Sequence, residues 1–161
     1  MFPILRRFHW ERGKPAGTWV RVTQNWAGTG WGAVHLPRAG QEVIVGFEEG
    51  DPDRPMITGR LYHGQNLPPY ALPAHKSVST IKSRSTSGEG FNEIRFEDRK
   101  EGEQLFVHAQ RQMDLVVEND RRTFIGRSAH TRIQGTRLTR IGGSRHCRVG
   151  ADAVNKIVGV A

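Results

Sequence analysis

At 161 residues and 18.1 kDa, with 36% hydrophobic residues, 19 glycines and 8 prolines, the chain has material for one modest, turn-rich core. It holds no apolar run of the roughly 20 residues a membrane-spanning helix needs, no apolar segment with a cleavage site in MFPILRRFHW to make a signal peptide, and one cysteine, Cys147, which excludes an intrachain disulfide framework and any paired-cysteine zinc finger. The net charge of +8 lies wholly in residues 121–161, where nine basic side chains stand against Asp152 alone, so the remainder of the chain is neutral and the two parts are read separately.

Along 19–23, Trp-Val-Arg-Val-Thr, Val20 and Val22 fall on one strand face and Arg21 and Thr23 on the other. The turn-rich WAGTGWG (26–32) follows, and a Pro37-to-Gly40 turn leads to a strand over 42–47 in which Val43, Val45 and Phe47 share a face. The acidic turn with Glu48, Glu49, Asp51 and Asp53 feeds a strand over 56–62, with Ile57 and Leu61 on one face. Short strands broken by Gly and Pro, without a helical period, predict a small OB-fold-like antiparallel barrel over 1–66. Residues 67–90 are rich in Pro, Ser, Thr and Gly and read as an extended connector with strand character around Ile81. FNEIRFED (91–98) and EQLFVHAQ (103–110), joined by the charged turn 99–102, predict a β-hairpin in a region, 91–120, that leads into the last segment.

That last segment, 121–161, contains a repeat. Ile125, Ile133, Ile141, Val149 and Ile157 recur every eight residues. Two places before each, on the same strand face, stand Thr123, Thr131, Thr139, Cys147 and Asn155. On the opposite face lie Phe124, Arg132, Arg140, Arg148 and Lys156, and glycine follows soon after each β-branched residue. Each octad is then a short strand and a bend with one narrow apolar stripe, too narrow to enclose a core within one chain. A monomeric solenoid would leave its edges open, whereas three intertwined copies bury the stripes on a common axis and pair the edges between chains. The predicted fold is therefore all-β: a small OB-fold-like barrel followed by a trimeric, intertwined β-helix needle of octad repeats. The residues singled out are those of the trimer-core stripe.

Catalytic arrangements find little support. The acidic residues of the first half cluster on one turn and read as solvated loop charge, not as the spaced carboxylate pair of a glycosidase. The seven histidines have no ligand spacing, no nucleophile elbow occurs, and Cys147 in the inward register reads as a small packing group. The reading assigns no catalytic, metal or cofactor residues and is not that of an enzyme. The runner-up is a nucleic-acid-binding OB-fold protein with a basic tail, but the tryptophans lie in the neutral part and the charges in the other, so stacking and phosphate contacts are separated.

The stretches GQEVIVGFEEGDPDRPMITGR (40–60), PPYALPAHK (68–76), IKSRS (81–85), FNEIRFED and EQLFVHAQ, in that order, resemble the VgrG spike proteins of bacterial type VI secretion. The octads resemble the needle of those proteins and of contractile-phage tail spikes. The resemblance implies an OB-fold collar and trimeric needle at the tip of a contracting tube, puncturing the target-cell envelope and carrying effectors. It implies as partners a homotrimer, the Hcp tube, a PAAR-type tip protein and secreted effectors. It places the protein in the bacterial cytoplasm before firing and outside it afterwards. Met1 falls inside the first barrel strand of that pattern, so the chain reads as part of the collar with the start of the needle.

Overall fold

The computed structural model describes residues 3–5 and 17–154; Asn155 and Ile157 of the predicted stripe, and Lys156 between them, lie outside. The chain divides into two compact units, Met1–Asp114 and Leu115–Ala161.

In the first unit β1 (Pro3–Leu5) pairs antiparallel with β2 (Gly17–Trp19). After β3 (Arg21–Val22) comes a short ribbon of β4 (Ala27–Gly28) and β5 (Trp31–Gly32). The alternating strand β6 (Glu42–Phe47) then pairs antiparallel with β7 (Pro55–Leu61), whose other edge takes β3 in parallel. Val20 and Ile57 form the buried centre, and the Thr23 N–H and hydroxyl both donate to the Ile57 carbonyl, at 2.9 and 3.1 Å. Ile44 pairs with Gly59 but Val45 with Ile57, so Thr58 is an unpaired extra residue in β7. A bulge of this kind reverses the alternation beyond it. Leu61, expected on the face of Ile57, is for that reason exposed. The acidic turn contains one 3-10 turn, Glu48–Gly50. The Glu48 carboxylate accepts from Arg21 at 2.6 Å and Arg54 at 2.9 Å, which makes the turn an ion-paired corner.

A three-stranded antiparallel sheet follows, in the order β10-β9-β8. The strand character expected around Ile81 is β8 (Val78–Lys82), so part of the 67–90 stretch stands in this sheet. The β-branched Val78, Thr80 and Ile81 favour the strand although the Ser/Thr content reads as linker. β9 (Glu93–Glu97) and β10 (Gln104–His108) pair residue for residue as a hairpin.

The second unit has no strand among its described residues. Its backbone changes direction at 118–119, 126–127, 134–135, 142–143 and 150–151, one bend every eight residues.

Candidate functional site

The β8-β9-β10 sheet has two chemically opposite faces. On one, the register aligns Lys82, Glu93 and His108 in one row and Thr80, Arg95 and Phe106 in the next. Glu93 is 3% exposed. Its Oε1 accepts from the Tyr70 hydroxyl at 2.6 Å and the Thr80 hydroxyl at 2.9 Å, and Lys82 Nζ lies 3.7 Å from Oε2. Arg95 donates to the Tyr70 oxygen at 2.9 Å and to Gln104 at 3.0 Å. Burial raises the Glu93 pKa, but the hydroxyl donors Tyr70 and Thr80 and the cations Lys82 and Arg95 outweigh it, holding the carboxyl below its ordinary value. Aromatic contacts close a ring around these groups. Lys82 sits 4.2 Å over Phe91, which stacks on His108 at 4.4 Å; Phe106 lies beyond, with Arg95 4.7 Å from its centre. Tyr70, Thr80 with Lys82, Glu93 with Arg95, and Gln104 with Phe106 come from four separate stretches, so this network fastens the connector and the hairpin into one body. Its carboxylate is covered, and each of its hydrogen bonds ties one strand or loop to another.

The opposite face is apolar. Ile81, Ile94 and Val107 form one row, and Phe96 and Leu105 lie in the next. All are 45–68% exposed within one chain. A sheet that buries a carboxylate and leaves five large apolar side chains to solvent presents an interaction face.

The octad tract repeats that condition. Ile125, Ile133, Ile141 and Val149 are 47–52% exposed, whereas Phe124, Leu138 and Val154 on the alternate face are 85–96% exposed. Val117 shares the octad phase and has the same half-covered state, at 44%. It extends the pattern by one octad, which the sequence conceals because Val117 ends the consecutive apolar run Leu115-Val116-Val117. Thr123, Thr131, Thr139 and Cys147 are exposed in the single chain. Among the described residues from 111 on, no backbone N–H donates to a backbone carbonyl of the chain. Unpaired backbone and a half-covered stripe are together what an intertwined assembly would satisfy.

Residues 4–62 match the family described as the type VI secretion system/phage-baseplate injector OB domain. Residues 79–160 match the bacteriophage T4 gp5 C-terminal trimerisation domain, which includes both apolar surfaces. The chain is therefore of the baseplate-spike class, an OB domain followed by a trimerisation domain. It is 52% identical over 126 residues to the type VI secretion system spike protein VgrG1c of Pseudomonas aeruginosa, covering 74% of this chain and 17% of that protein. Against VgrG1a of the same organism it is 52% identical, covering 74% of this chain and 20% of the relative. Against the actin cross-linking toxin VgrG1 of Vibrio cholerae it is 46% identical over 131 residues, covering 79% and 12%. The chain belongs to the VgrG spike family of type VI secretion, and it spans only 12–20% of the length of these relatives.

Proposed function

We propose that this chain forms the collar and needle section of a homotrimeric spike at the tip of a contractile type VI secretion apparatus. The work is mechanical: a stiff needle, held by interchain β pairing and axial burial, is driven through the target-cell envelope and carries effectors with it. The inward stripe is Ile125, Ile133, Ile141, Val149 and Ile157, with Thr123, Thr131, Thr139, Cys147 and Asn155 in the same face. The Hcp tube below and a PAAR-type tip protein beyond are the partners this role requires. The protein stands in the bacterial cytoplasm before firing and leaves it on firing. The toxin name of the Vibrio cholerae relative supports effector carriage as a use of the architecture.

The observation that carries this reading is the coincidence of bends and half-covered β-branched residues at one period of eight. A lone chain leaves that surface open, whereas burying an aliphatic side chain contributes about 1.5–3 kcal/mol. Absolute molar mass by light scattering tests it directly. A species near three times 18.1 kDa at both low and high salt is expected, because the contacts are apolar and backbone. A monomer at both ionic strengths would overturn the needle.

A further inference from the structure

The outward side of the octad tract carries a second, ordered pattern. Arg132, Arg140 and Arg148 share one octad phase on that alternate face, so the bends every eight residues repeat them as a column; Arg137 and Arg145 share a second phase, four residues before Ile141 and Val149. All five are exposed. Among the described residues of the tract only Arg122 pairs with a carboxylate, Asp120, at 3.2 Å. A solvated face usually interleaves both signs of charge; here Asp152 is the single acid of 121–161. Apolar Phe124, Leu138 and Val154 stand on the same outward side, highly exposed among the arginines. Cations beside protruding apolar side chains suit the boundary of a bilayer, with guanidinium on headgroup phosphate and the apolar group at the acyl edge. Nucleic acid fits less well, since Phe124 is the sole aromatic of 115–161 and offers no series of stacking platforms.

We infer that the column of Arg132, Arg140 and Arg148 on the needle is a docking surface for the phosphate headgroups of an anionic membrane. This deepens the proposed envelope contact and rests on that reading for its setting, while its binding test is independent of trimer formation. The probe is flotation of the full chain with vesicles of phosphatidylglycerol and phosphatidylcholine, against vesicles of phosphatidylcholine alone. Binding to the anionic vesicles, weakened by salt, is expected. The variant R132S/R140S/R148S should bind roughly 100-fold more weakly, from about a tenfold loss or less per arginine near a charged surface. The charge-keeping R132K/R140K/R148K should retain binding, which separates lost charge from damaged folding.

Equal flotation with neutral vesicles, or unchanged flotation of the serine variant, would overturn the inference. So would tighter binding to a single-stranded oligonucleotide than to the anionic vesicles. Molar mass measured on the same samples keeps the two readings apart. A trimer that fails to float removes this inference alone, whereas a monomer whose flotation depends on the arginines removes the needle and leaves this surface standing.

Discussion

Glu93 concentrates the energetics of the sheet in one side chain. Removing its carboxylate leaves the half-buried Tyr70 and Thr80 hydroxyls and the partly exposed Lys82 ammonium without their acceptor. Leaving part-buried donors without their acceptor costs roughly 1–3 kcal/mol. Glu93→Ala is therefore expected to lower the denaturation midpoint of the first unit by that order, and Glu93→Gln, which keeps an acceptor, by less. The pH dependence has a definite sign. A carboxyl held below its ordinary value of 4.5 contributes stability above that pH and loses it as pH falls through the lower folded value. Thermal melts between about pH 6 and pH 3, a window that brackets an ordinary carboxylate, should show the wild type losing more stability than Glu93→Gln; parallel curves would remove Glu93 from the balance. The alternation of FNEIRFED makes Ile94 and Phe96 one face and Glu93 and Arg95 the other, and that much is legible in the residues. Which face is covered within the chain is not, because the cover comes from Tyr70 and Phe91, outside the strand. Ordinary patterning would bury Ile94 and Phe96; within one chain they are exposed.

Among the elements, the octad was the most legible because its period is set by local geometry, a short strand and a bend. The bulge at Thr58 and the octad phase of Val117 were not, since a bulge is fixed by the pairing partner and the apolar run masks the phase. The period makes a paired prediction. Ile141→Asp would bring three carboxylates toward the axis, each with a desolvation penalty of several kcal/mol, so the trimer is lost. Arg140→Asp, one residue away on the alternate face, should leave the molar mass unchanged. If both variants assemble, or both fail, the inward and outward assignment is wrong. The β4–β5 ribbon gives a second prediction. Gly32 has φ +129°, and a Cβ there would lie 2.5 Å from the Trp26 carbonyl oxygen, which is backbone and cannot swing aside. Gly32→Ala should cost roughly 1–3 kcal/mol of stability. It should also change tryptophan fluorescence, because Trp26 and Trp31 meet edge to face at 5.4 Å across this ribbon.

For the whole molecule, the two units are completed by different means. Among its described residues the first unit pairs its strands with one another and completes the Glu93 network, and it leaves one face of the β8–β9–β10 sheet apolar and open. The second, among its described residues, closes neither its stripe nor its backbone, and the proposed needle requires its folding and its assembly to be one event. Stability in such a tract depends on protomer concentration, because the folded monomer lacks the contacts that define it. Amide hydrogen exchange reads this residue by residue. In the wild-type protein the amides of 117–154 should be strongly protected, since each would donate to a neighbouring chain. In Ile141→Asp the same amides should exchange near the rate of an unstructured chain, while β8, β9 and β10 keep protection from their own ladder. Fast exchange throughout 117–154 in the wild type would mean that the tract has no interchain ladder, whatever the oligomeric mass. Protection that survives in monomeric Ile141→Asp would mean that the chain folds alone, and the physical argument for three intertwined copies would fail with it.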